Sequence, residues 1–151
     1  MVVCYRMNET IESRLQRLED LAEIHQLFID YGNFLDTGDL DSYVSLFAAD
    51  GEVLMGPLGR AKGHEAIKAL MSESLQGLIG ASFHLVTSPM VKLHGDTASS
   101  TVMWTVIQRA ENGTPSLTMM GRHHDDLVRD NGTWRFQRRR GTIDLPSALP
   151  R

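Results

Sequence analysis

Cysteine is almost missing from this chain: one residue of 151, Cys4, close to the start. A lone thiol excludes an internal disulfide framework and a cysteine-built zinc site. A free thiol also fits a reducing compartment, so a cytoplasmic location is expected. Positive charge is in deficit, with 15 Lys and Arg against 19 Asp and Glu and a net charge of -4. Nucleic-acid binding, which needs a basic face, is therefore not expected. No apolar run approaches the ~20 residues of a membrane-spanning helix, and Met1-Val2-Val3-Cys4 is too short for a signal-peptide core, so no membrane association is expected. There is no Gly-x-Ser-x-Gly elbow for a nucleophilic triad. Gly56-x-x-Gly59-x-x-x-Gly63 lacks the following Lys-Ser/Thr of a phosphate loop. Internal repeats and low-complexity segments are also absent.

What remains is a chain of one-domain length, able to bury roughly two-thirds of its unfolded surface. Residues 1–9 read as a flexible leader, 10–144 as the domain and 145–151 as a tail without regular structure. Ile11, Leu15, Leu18, Leu21, Ile24, Phe28, Tyr31 and Leu35 recur at helical spacing, which predicts a helix of about 37 Å from Ile11 to Leu35 with Asn8 or Thr10 as its cap. Thr37-Gly38 ends it. Asp39 caps a second helix, Leu40 to Ala48, with Leu40, Tyr43, Val44 and Phe47 inward. Asp50-Gly51 reads as a turn, Glu52 to Met55 as a short strand, and a third helix starts near His64 with Ile67, Leu70, Met71 and Leu75 inward. The period then becomes two. Phe83 to Leu93, Thr97 to Arg109, Ser116 to Arg129 and Thr133 to Ile143 read as strands joined by three Gly-containing turns. Three N-terminal helices packed on a curved, mostly antiparallel sheet give the α+β class, as a cone-shaped barrel with the end of the first helix near its mouth. Such a cone, lined by apolar residues, is a small-molecule pocket.

Asp36 stands at the end of the first helix, where the dipole disfavours a carboxylate. Something must compensate it, and His84 is the candidate. Alternation puts His84, Val86, Ser88 and Met90 on one face of their strand and Phe83, Leu85 and Val91 on the other, both apolar enough to be covered. A partly desolvated histidine favours its neutral, proton-accepting form, and a carboxylate on one ring nitrogen would fix its tautomer. On the residues alone this is either general-base machinery or a core histidine bonded to a backbone carbonyl. Tyr31, about 140° around the helix from Asp36, is either a second site residue or one more residue of the apolar stripe.

His123-His124-Asp125-Asp126 alternates across a strand, so only two of its members share a face. No third ligand is evident, and a metal site is not expected. His123 falls with Leu117, Met119 and Gly121 on a face that can line the pocket. In Arg138-Arg139-Arg140 the strand period puts Arg138 and Arg140 on one face and Arg139 on the other. A solvated sheet edge is the default account of the run, and Arg139 is the one that could point inward and stabilise an oxyanion or leaving group. Met55, Met71, Met90, Met103, Met119 and Met120 supply deformable apolar lining, although not all six can face inward.

The ordered set Tyr31-x4-Asp36-x-Gly38-Asp39-x3-Tyr43-x3-Phe47-x2-Asp50-Gly51, then Gly63-His64-Glu65-Ala66-Ile67, then Gly121-Arg122-x2-Asp125-x3-Arg129-x2-Gly132-x-Trp134-x-Phe136-x3-Arg140 resembles the SnoaL-like family of the nuclear-transport-factor-2-like superfamily. The likeness covers residues 10–144. It implies a cone-shaped α+β barrel that forms a homodimer or homotrimer through the outer face of its sheet. Asp36 and His84 resemble the acid–histidine pair of scytalone dehydratase, hexachlorocyclohexane dehydrochlorinase and bile acid 7α-dehydratase, and Tyr31 resembles a tyrosine of the last. Arg139 falls where the dehydrochlorinase has a pocket arginine, and His123 near a pocket asparagine of scytalone dehydratase. The resemblance thus implies a lyase or isomerase working without a cofactor on a hydrophobic hydroxylated or carbonyl compound. Its expected catalytic residues are Asp36, His84 and Tyr31, with Val53, Met55, Met119, His123 and Arg139 binding substrate. Two departures matter. The first strand, Val53-Leu54-Met55-Gly56, lacks the aspartate of ketosteroid isomerase, and Trp104-Thr105-Val106-Ile107 lacks a further aspartate of the bile acid enzyme. A binding-only domain of the same fold, and a small subunit like that of ring-hydroxylating dioxygenases, remain the alternatives.

Overall fold

The computed structural model describes residues 9–146, so all but the last residue of the proposed leader and most of the tail lie outside it. Helix α1 spans Ile11–Thr37, with the Thr10 hydroxyl accepting from the Ser13 amide as N-cap. Helix α2 is Leu40–Ser45, capped by Asp39, and α3 is His64–Ser74. The strands are β1 (Phe47–Leu54), β2 (Arg60–Lys62), β3 (Ser82–His94), β4 (Thr97–Arg109), β5 (Pro115–Asp130) and β6 (Thr133–Leu145). They form one open sheet in the order β2-β1-β6-β5-β4-β3, antiparallel except where β1 runs parallel to β6. Beta-2 and β3 are its edges.

The three helices and the four-strand meander stand where the sequence places them, and the differences lie around β1. Helix α2 stops three residues early and β1 begins at Phe47. Asp50-Gly51 is a bulge inside that strand, not a turn, and the β1–β6 register shifts between Phe47 and Glu52. A Cβ at Gly51 would sit 2.9 Å from the carbonyl oxygens of Ala48 and Phe136, so the bulge accepts only glycine there. Beta-2 was not visible in the sequence because three residues, Arg60-Ala61-Lys62, carry no alternation to read.

The sheet holds α1 at two ends. Toward the N-terminus, Asp20 accepts hydrogen bonds from Arg129 (2.7 Å), the Trp134 indole (3.2 Å) and Gln16 (3.0 Å), while Glu23 accepts from the Trp134 amide at 2.8 Å. Toward the C-terminus, Gly32 lies against β3. Between these anchors Ile24, Phe28, Tyr31 and Leu35 are buried against Tyr43, Phe47, Val102, Leu127 and Phe136. Ile11, Leu15 and Leu18 project beyond the sheet and are exposed, so the apolar stripe of α1 is buried only from its middle onward.

Bulges reset the strand faces, one of them in β3 and another in β5. Ser88 takes a φ of 51°, and the β3–β4 register shifts between Thr87 and Met90. Val91 and Leu93 consequently pack on the core while Met90 is exposed, the reverse of uninterrupted alternation. A second shift, between Val106 and Ile107, leaves Met119 inward and turns Leu117 outward. Among the described residues nothing covers the far side of β3–β5: Phe83, Leu85, Met103 and Leu117 are all exposed there.

Candidate active site

Gly32 sets the geometry of the site. A Cβ on it would meet the His84 carbonyl oxygen at 2.7 Å, so only a glycine lets α1 approach the backbone of edge strand β3 this closely. One helical turn later Asp36 arrives over His84. Its Oδ1 lies 2.7 Å from His84 Nδ1, and its two oxygens accept from the His84 amide at 2.9 and 3.1 Å. That amide faces the free edge of the sheet, so the carboxylate satisfies a strand edge as well as an imidazole. Three bonds to donors explain how an acid is tolerated in the last turn of a helix that has no basic residue there.

Because a carboxylate accepts, Nδ1 of neutral His84 carries the ring proton and Nε2 keeps its lone pair. The two side chains retain 17% and 19% exposure, so the ring is reachable. His84 opens onto a cavity of about 110 Å³ bounded by Tyr31, Met55, Trp104, Met119 and His123, with Met71, Leu75 and Val86 among its apolar walls. A larger concavity of about 780 Å³ lies on the opposite face, around Glu52, Arg138, Arg140 and Lys92. It is open and lined by surface charges, with Arg60 and Arg138 paired to Glu52, and contains neither His84 nor Asp36. The smaller cavity holds the acid–base pair and is the candidate site.

The expected site residues separate into three layers. Tyr31, Met55, Met119 and His123 line the cavity beside His84. Asp36 stands behind His84. Val53 and Arg139 are not among the lining residues: Val53 is buried in the core, and Arg139 is fully buried with its guanidinium over Tyr31 (4.0 Å) and Phe136 (4.3 Å). Of the six methionines, Met55, Met71 and Met119 reach the cavity, whereas Met90 and Met103 are exposed on the outside. Leu35, Trp104, Gly141 and Ile143 also line it and were not foreseen. Trp104 does follow β4 alternation with Val102 and Val106, a signal available in the sequence.

Arg139 belongs to a buried polar string. Ser100 donates to Asp125 at 2.7 Å, Asp125 lies 3.3 Å from Arg139 Nε, and Arg139 Nη2 donates to His123 Nδ1 at 3.0 Å. Burial pushes the Asp125 carboxyl up, opposed by Arg139 and Ser100. Burial, reinforced by the positive charge of Arg139, holds His123 well below the ordinary histidine range. The Tyr31 hydroxyl is likewise pushed up by burial, with Arg139 opposing. Tyr31 is thus a neutral phenol and His123 a neutral imidazole.

Helices on one side of an open, mostly antiparallel sheet, with a dyad in the apolar space between, define a nuclear-transport-factor-2-like protein of cystatin-like fold. The chain belongs to the SnoaL-like domain family, whose profile matches residues 16–140. An uncharacterized protein of Mycobacterium tuberculosis is 30% identical over 124 residues, which cover 81% of this chain and 84% of that one. An NTF2-like protein of cystatin-like fold from Novosphingobium aromaticivorans superposes with a TM-score of 0.86 at 29% identity, covering 94% of each chain. A hexachlorocyclohexane dehydrochlorinase from Novosphingobium barchaimii shares the fold, with a TM-score of 0.76, 20% identity and coverage of 87% and 91%. A Novosphingobium aromaticivorans protein described as a scytalone dehydratase does too, at 0.76 and 22%, covering 87% and 89%. Among the described residues no helix is long and apolar enough to cross a membrane.

Proposed function

We propose that the protein is a lyase of dehydratase type, or a closely related isomerase, acting on a hydrophobic hydroxylated or carbonyl compound. The observation that carries this reading is the 2.7 Å contact of Asp36 with His84 Nδ1 at the wall of an apolar cavity, which leaves Nε2 as the free base. Nε2 takes a proton from a carbon activated by a neighbouring carbonyl. The C–H electron pair becomes the new double bond, and the C–O bond breaks with its pair on oxygen. The proton held by His84 returns to that oxygen and water leaves. For an isomerase the same proton returns to a different carbon. Asp36 orients the ring and supports its charged form while the proton is held. Tyr31, a neutral phenol that lines the same cavity, hydrogen-bonds the substrate oxygen in this reading. The fold neighbours that include a dehydrochlorinase support elimination chemistry as the general class.

The test is a panel of hydroxy ketones incubated with wild type and with His84→Gln and Asp36→Asn. Wild type should eliminate water from some members, and each variant should lose on the order of 10²–10⁴ in rate while keeping its fold. Near-full activity in either variant sinks the dyad. Ligand binding by wild type without turnover would favour a binding-only domain.

A further inference from the structure

The mechanism above gives the cavity a base and leaves its second histidine without a task. His123 is neutral, buried, and in contact with Arg139, the one buried cation among the described residues. A guanidinium carries only donors and does not lose its proton in proteins. The 3.0 Å contact from Arg139 Nη2 therefore makes His123 Nδ1 an acceptor, and the ring proton must sit on Nε2. That nitrogen has no protein partner among the described residues. It lies on the Gly141 side of the ring, 3.5 Å from where a Cβ would be, and the missing side chain leaves room beside it in the cavity wall.

We propose that Arg139, held by Asp125, fixes His123 as its Nε2–H tautomer, so that the cavity carries one imidazole acceptor at His84 and one imidazole donor at His123. The inference deepens the lyase reading and rests on it for its chemical meaning. Substrates are then compounds with an acidic C–H near His84 and an oxygen acceptor, carbonyl or departing hydroxyl, near His123. Protonation of His123 is opposed by the guanidinium beside it, and loss of its Nε2 proton would leave an imidazolate. It therefore polarises the oxygen by hydrogen bonding and transfers no proton, which leaves the return of the proton to His84. Arg139 touches no substrate and is a positioning residue.

Long-range ¹H–¹⁵N NMR of the full chain reads the tautomer directly, with His123→Gln assigning the signals. His123 should show protonated Nε2 and bare Nδ1 between about pH 6 and 8. A ring protonated at Nδ1, or at both nitrogens, overturns the proposal. In an Asp125→Leu/Arg139→Met double variant the tautomers should mix; an unchanged Nε2–H pattern there would remove Arg139 from its positioning role. Indanone and its parent hydrocarbon indane then probe the donor. Indanone should shift the Nε2 signal and bind wild type about five-fold more tightly, the weight of one neutral hydrogen bond, and His123→Leu should erase the difference. Equal binding of the two probes to wild type, no ketone binding, or a preference that survives in His123→Leu overturns the donor assignment. An active His84→Gln enzyme with the expected tautomer would overturn the lyase mechanism alone.

Discussion

Gly32 and the carbonyl oxygen of His84 are in such close approach that no other residue fits between helix α1 and strand β3; an added Cβ would stand 2.7 Å from that oxygen. A mid-helix glycine costs about 1 kcal/mol in propensity relative to alanine, so the contact outweighs a local preference. Gly32→Ala should push α1 off β3, lower stability by about 1–3 kcal/mol despite its better propensity, and lengthen the Asp36–His84 contact. Chemical denaturation and a crystal structure would check this; a variant as stable as wild type with the contact intact would refute it.

Acid should weaken the fold through His123. Its imidazole titrates well below the ordinary range when folded and near 6.5 when unfolded, so between those values the unfolded chain binds more protons. Stability should level off above about pH 6.5 and fall as pH drops below it, by at most about 1.4 kcal/mol per pH unit from this group. Comparing denaturation curves of wild type and His123→Gln isolates the contribution of this imidazole. The variant should show a flatter profile from pH 7 to about 5, and identical slopes would rule the assignment out.

Arg139 and Asp125 are both wholly buried as side chains and 3.3 Å apart. Removing one strands the other's charge, so Arg139→Met or Asp125→Leu alone should cost about 3–5 kcal/mol. The double variant should be more stable than either single one. Additive losses in the cycle would show that the pair does not act as a unit.

The outer face of β3–β5 presents Phe83 at 65% and Leu117 at 56% exposure, with Leu85 and Met103 beside them. We propose that a second copy covers this apolar face. Light scattering on the purified chain should give a dimer or trimer, and Phe83→Glu/Leu117→Glu should shift it toward monomer. A wild-type monomer at all concentrations would dismiss the surface as an interface.

The meander was legible almost to the residue because alternation, glycine turns and strand length agree along β3 to β6. The Asp36–His84 contact was legible as a pair, since an acid at a helix C-terminus requires compensation and His84 is the nearest chemical answer. What the pattern could not supply was register. A bulge adds one residue without changing the polarity of its neighbours, so the face switches at Ser88 and before Met119 were silent, and Met90 and Leu117 were assigned to the wrong side. Arg139 was only the member of its triplet that could point inward, with a solvated edge as the default, and it is fully buried. Its distance from the cavity follows from Asp125 standing opposite it in the β5–β6 pairing, which appears only once the strands are aligned.

The bulge at Ser88 divides β3 into two independently phased halves. Residues before it serve the cavity through His84 and Val86, and residues after it serve the base of the core through Val91 and Leu93. Straightening the bulge with every residue kept would turn Val91 and Leu93 outward and leave the dyad where it is. Insertions upstream would do the reverse, disturbing His84 over an intact foundation. One strand thereby carries two reading frames, and chemistry and stability can be altered separately along it.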